Sequence, residues 1–522
     1  YLLIKNRSYG TVIDLLEKNN LPQRLTTGTQ FYYALALSKK SLYEESLTQY
    51  KALIDENKNN QSATLNSAIL LQKLKRYEEA IQYFSQAVVI TSGLRKSKSL
   101  AGIAHCNRLM GNFSEAITHY QKSIEYRPAD KVTWRLLADS MSLSGQPFEQ
   151  VVNTYNKSIA LDRKYAIAIE NKAKYQLQQL DFYGALETLK TINKDKNNSI
   201  EIQMIKAWIY LEIGKTSKGR QTLKNIKNYV DIRKRNIKSN KSIDIINHLE
   251  SIFNKDYESI NNKNWNTLPP EILYLQALSN SKRGKSTLAI KQLSILQLQP
   301  KLSARASFAI ARTHKSKKRY DSASDIYQTL LSSHSHSSSL WFESSKLKFK
   351  QHNAQLALTH IKNALKIQPN NKWYQLIQSD YLMSLKHHRK AVAVLQITHD
   401  QYPRSIKTLR RLADALIATN NPLHAESTLE KIRDIKPSDV TTLMLLATIQ
   451  YQLERYSYAE ETLINLLQIQ QNNLDARFLL ANISLDQGDV KKSLTHLKKL
   501  LRLEQSHQPA LALKAKIIKR AS

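Results

Sequence analysis

Residues 338–369 read SSLWFESSKLKFKQHNAQLALTHIKNALKIQP. An aromatic pair, Trp341 and Phe342, stands near the start, a small residue, Ala357, in the second half, and Pro369 at the close. The same outline returns at 372–403, 406–437, 440–471 and 474–505, so the starting positions 338, 372, 406, 440 and 474 are each 34 residues apart. Self-similarity at a fixed period of this length marks a stack of supersecondary units, none of which can bury its apolar face alone.

Looser copies of the outline begin near Thr27, Gln61, Ser97, Lys131, Ala166, Ile200, Pro270 and Ala304. Within them apolar residues recur at i, i+3, i+4 and i+7, the spacing of one helix face. Glycine and proline number only 11 each in 522 residues, too few for a many-stranded chain. The expected fold is all-α, a solenoid of antiparallel helix pairs. Between about 225 and 267 the period fails, and RKRNIKSNKSIDIINHLESIF is followed by the polar run NNKNWNTLPP. Ile243, Ile246, Leu249 and Phe253 still mark an amphipathic helix there. The chain therefore divides into a truncated first repeat (1–26), an N-terminal array (27–233), a degenerate repeat or insert where the stack bends or divides (234–269), a C-terminal array (270–507) and a capping helix (508–522). A polar-faced terminal helix is what an open stack needs.

Each unit has a physical logic. Small residues at its eighth and twentieth positions (Ala413 and Ala425; Ala447 and Ala459) let the two helices approach closely. A larger side chain there overpacks, at about 1–3 kcal/mol. Leu409, Leu416 and Leu429 fill the space between helices, and Pro128, Pro369, Pro403 and Pro437 end second helices, because proline lacks the N–H and clashes with the preceding turn.

This pattern resembles the tetratricopeptide repeat family over nearly the whole chain. The resemblance implies a right-handed superhelix with first helices lining a concave groove, and a binding scaffold rather than an enzyme. Ser344–Ser345 and Ser493 depart from the family's usual residues. LRRLADALIATNNPLHAESTLEKI (409–432) is similar in style to long bacterial repeat proteins of envelope and exopolysaccharide export systems, which implies a soluble periplasmic or envelope-associated location ahead of a cytoplasmic one.

The formal net charge of +35 favours anionic partners, unless it only reflects lysines spread over solvated faces. Part of it clusters at 224–241, where Arg233, Lys234, Arg235, Lys238 and Lys241 form a basic segment. A single cysteine, Cys106, excludes an internal disulfide and reads as a buried small hydrophobe. No apolar run is long enough for an integral membrane segment.

No catalytic residue, cofactor or metal is expected. Gly214-Lys215-Thr216 resembles the end of a phosphate-binding loop, but Ile209 stands where that loop needs glycine. His334, His336, His387 and His388 fall in turns with no accompanying carboxylate constellation, so they read as solvated turn residues. If first helices line a groove, positions 2, 5, 9 and 12 of each unit face into it. That nominates Phe308, Arg312, Phe342, Lys346, Phe349, Trp373, Lys407 and Arg410, where aromatics interleave with cations. Aromatics supply apolar area and cations supply charge-assisted hydrogen bonds, a combination suited to an extended protein or peptide partner. The alternatives are that some aromatics pack between neighbouring helices, and that the ligand is an anionic polymer, polysaccharide or nucleic acid.

Overall fold

The computed structural model describes residues 7–18, 26–192, 200–233, 240–259 and 265–521. These hold 29 α-helices and no strand. The chain forms two compact units, Tyr1–Ala306 and Ser307–Ser522, with the boundary inside the helix Ser303–Ser316. Each unit is an all-α solenoid in which consecutive helices pack in pairs. Of the basic segment, Lys234, Arg235 and Lys238 lie outside the described residues, as do the side chains of Arg233 and Lys241.

The 338–369 stretch becomes the helices Ser338–Lys350 and Ala354–Ile367. Each starts on a capping side chain: Ser337 accepts the Leu340 N–H at 3.2 Å, and Asn353 accepts the Leu356 N–H at 3.0 Å. Such caps satisfy N–H groups that the first helical turn leaves open. Pro369 falls just past the end of the second helix.

The turn inside each pair carries one residue in the left-handed region: Lys318, His352, Lys386, Asn420, Glu454 and Gly488, again 34 apart. The next N–H reaches back to an earlier carbonyl, as from Asn421 to Leu416 at 2.9 Å and from Asp489 to Ser484 at 2.8 Å. This is the hydrogen-bonded helix ending that the left-handed residue makes possible. Only Gly488 avoids the Cβ clash. The others carry about 1–2 kcal/mol of it, held in place by the helix pair around the turn.

Ala413, Ala425, Ala447 and Ala459 are fully buried, as are Leu409 and Leu429. Serine meets the same demand for a small residue. Ser493 is buried and donates to the Ala481 carbonyl at 2.8 Å, and Ser46 donates to the Ala34 carbonyl at 2.6 Å. Ser345 donates to the Phe342 carbonyl at 2.7 Å, and Ser344 shares a 2.9 Å hydrogen bond with His360 Nδ1. Satisfied hydroxyls make these departures cheap.

Gly102 makes one close helix contact testable. A Cβ built there would lie 2.4 Å from the ring of Phe84, which is itself buried and cannot swing away. Alanine gains about 1 kcal/mol of helix propensity but meets about 1–3 kcal/mol of overpacking. Gly102→Ala should therefore lower the denaturant midpoint of the first unit. A raised midpoint would show that Phe84 has room.

The first unit continues across the aperiodic segment. The helix Asn240–Asn254 buries Leu249 and Phe253, and Phe253 lies against Gly219 of the preceding helix. The first helices on either side, Ile200–Glu212 and Pro270–Lys282, are joined by a buried polar cluster. Glu212 Oε1 accepts from Tyr274 Oη at 2.8 Å and from Arg305 at 2.8 and 3.1 Å. The Arg305 guanidinium lies 4.6 Å from the Trp208 ring and 4.7 Å from the Tyr274 ring. Arg305 stands at position 2 of the unit that begins near Ala304, a position the groove rule selects, and is instead buried core. Cys106 is buried and accepts from Gln72 at 3.4 Å, and burial raises its thiol pKa. No helix among the described residues is long and apolar enough to cross a membrane.

Candidate partner-binding site

The nominated residues of the second unit separate into two groups. Those in the helices Ser303–Ser316 and Ser338–Lys350 are mostly committed to packing. Phe308 is 1% exposed and lies 6.0 Å from the Tyr327 ring, so it offers no surface to a partner. Phe342 stacks on Tyr374 at 4.8 Å and Phe349 on Tyr381 at 4.6 Å, each bridging to the next first helix. Phe349 nevertheless keeps 38% of its surface exposed.

Arg312 and Lys346 belong to a cluster built around Glu343, a residue that the position rule does not select. Lys315 pairs with Glu343 from the preceding first helix, and Lys346 Nζ lies 3.4 Å from the same carboxylate. Arg312 covers the Phe308 ring at 5.5 Å, and Lys346 covers Phe342 at 5.1 Å. Burial works to raise the Glu343 pKa, but Lys315, Arg312 and Lys346 outweigh it and hold the carboxyl at about 2. Burial lowers Lys315, and its neighbours Lys346 and Arg312 push the same way against the Glu343 attraction. One buried anion thus serves several cations.

The second group is different. Trp373, Lys407 and Arg410 line one cleft of about 420 Å³ between the first helices Lys372–Ser384 and Ile406–Ala418. Asp380, Ile406, Arg411 and Asp414 complete its wall. The Ile406–Ala418 helix buries Leu409, Leu412, Ala413 and Leu416, which leaves 407, 410, 411 and 414 for the opposite face. Trp373 is 43% exposed, and Lys407 Nζ lies 5.7 Å from its ring. Arg411 grips Asp380 with two hydrogen bonds, at 2.7 and 3.0 Å, across the two helices. Arg410 pairs with Asp439. Lys407 and Asp414 have no ion-pair partner among the described residues. Partial desolvation raises the Asp414 pKa, with Arg410 and Arg411 pulling it down and Asp380 adding to the rise.

Chemically, the cleft offers one aromatic face, one exposed ammonium and one carboxylate with no direct ion pair or hydrogen bond among the described residues. It presents no nucleophile with an adjacent base. Among the described residues no three His, Cys, Asp or Glu side chains are placed to hold a metal ion.

Residues 60–129 match the model of the tetratricopeptide repeat family. That segment carries tetratricopeptide repeats. The chain is similar to a probable UDP-N-acetylglucosamine–peptide N-acetylglucosaminyltransferase SPINDLY of Hordeum vulgare, 26% identical over 175 residues. That alignment covers 31% of this chain and 18% of the barley protein's length. Among solved structures, the C-terminal part of a TPR repeat-containing protein from Cytophaga hutchinsonii aligns with 46% of this chain and 98% of its own, at 16% identity and a TM-score of 0.41. A chain of the APC/C hetero-tetramer aligns with 99% of this chain and 94% of its own, at 14% identity and a TM-score of 0.36. Tetratricopeptide repeats of this kind serve as protein-interaction scaffolds.

Proposed function

We propose that the chain is a non-catalytic adaptor that holds a protein partner on the first-helix face of its second unit, with the Trp373 cleft as the anchor. The half-exposed indole carries this reading. Large aromatics left open beside cations are the residues that dominate binding energy at protein interfaces. The cleft's walls are fixed in advance by the Arg411–Asp380 fork, which lowers the ordering cost of binding. The proposed setting is a bacterial envelope or exopolysaccharide export assembly, supported only by the style of the repeats around 409–432. The net charge of +35 favours a second reading, in which the same face takes an anionic polymer.

A photo-crosslinking residue at position 373 tests the first reading, with the same residue at Ile397 as control. Ile397 is exposed on the second helix His388–Gln401, away from the cleft. Irradiation in lysate of the source cells should attach protein at 373 and not at 397. Equal capture at both positions, or capture of nuclease-sensitive or polysaccharide material alone, overturns it.

A further inference from the structure

The cleft's own charge pattern says more about its ligand than that it is a protein, and this step rests on the reading just given. Lys407 and Asp414 lie seven residues apart on one helix face, hence about 10 Å along the axis at 1.5 Å per residue. Lys407 is exposed, its Nζ lies 5.7 Å from the Trp373 ring, and it makes no hydrogen bond or ion pair among the described residues. Asp414 opens into the cleft with no hydrogen bond or ion pair among the described residues. Between them Arg410 and Arg411 are engaged by Asp439 and Asp380. The cleft thus shows a ligand one open positive end, one open negative end and a neutralised middle beside an indole.

An extended segment in the polyproline II conformation returns to the same face every third residue after about 9 Å. That repeat matches the separation of the two open charges.

We propose that the Trp373 cleft selects extended peptide segments carrying an acidic and a basic residue three positions apart, the acid at Lys407 and the base at Asp414. The two intervening residues lie over Trp373 and the paired arginines.

Fluorescence anisotropy with the full chain and labelled, end-blocked synthetic peptides is the test. A peptide of sequence Ala-Glu-Pro-Leu-Lys-Ala should bind about tenfold more tightly than versions with Gln for Glu or Met for Lys, a loss typical of one well-placed interfacial charge pair. The charge swap keeps the test independent of folding. Lys407→Glu should prefer the peptide with Lys in place of Glu, and Asp414→Lys the peptide with Glu in place of Lys. Binding with no charge preference, a preference for the acid alone that survives in Asp414→Asn, or no peptide binding each overturn the proposal. If crosslinking at 373 still captures a protein while the peptides show no pattern, the charge rule fails and the adaptor reading stands.

Discussion

Glu343→Gln should destabilise the second unit by about 3–5 kcal/mol, the usual result of removing one partner from a buried ion cluster. Lys315, Arg312 and Lys346 all depend on that carboxylate, so glutamine leaves mutually repelling cations with no anion between them. Lys315 and Glu343 are both largely shielded from solvent, at 13% and 14% side-chain exposure, so water cannot stand in for the lost charge. The effect should appear as a lower denaturant midpoint for the transition that includes the second unit. An unchanged midpoint would mean that the cluster is solvated. The same group predicts acid sensitivity. Its folded pKa of about 2 lies below the ordinary glutamate value of about 4.3. A depressed carboxyl contributes stability that is fully present above the unfolded value and lost as pH falls through the folded one. Stability of the wild-type second unit should therefore fall between about pH 5 and pH 2, and Glu343→Gln should flatten that fall.

Glu212→Gln should be as costly in the first unit, again about 3–5 kcal/mol. Here the buried cation is Arg305, at 6% side-chain exposure, and its partner Glu212 is at 1%. Burial opposes the Arg305 charge, and Glu212 outweighs burial, so the guanidinium holds its proton more firmly than usual. Glutamine leaves it charged, dry and unpaired, clasped only by the Trp208 and Tyr274 rings. The double variant Glu212→Leu/Arg305→Met should recover most of the loss, since a packed apolar pair often replaces a buried ion pair at no cost. Hydrogen exchange would localise the single variant's damage to 200–212 and 270–282. Exchange there equal to wild type would contradict a clasp across the aperiodic segment.

How much of this is legible in the sequence depends on the range of the interaction. The 34-residue period carries the helix pairs, because the small residues, caps and turn positions all act within one unit. It also nominates Trp373, Lys407 and Arg410, which line one cleft, since equivalent register positions of successive first helices point the same way. What it misses lies between units. Phe342 and Phe349 look unpartnered until Tyr374 and Tyr381 of the next first helix stack on them. The Glu343 cluster and the Arg411–Asp380 fork join residues 28 and 31 apart, and their geometry depends on how successive first helices lean. The Glu212–Arg305 pair spans 93 residues and an aperiodic segment, with no sequence signal connecting the two. Its only trace is an acidic residue ending one first helix and an arginine opening another.

The most direct test of the Trp373 cleft as the anchor is the affinity of the crosslinked partner, once purified, for chains altered on each side of the same repeat. Trp373→Ala removes the exposed indole without touching the buried core, and Ile397→Ala removes a somewhat more open residue on the second helix. Loss of an interface hot spot costs at least about 2 kcal/mol, or some thirtyfold in Kd. Titration calorimetry should show that loss for Trp373→Ala and wild-type affinity for Ile397→Ala. Wild-type affinity for Trp373→Ala, with the chain folded, would contradict the assignment of the cleft.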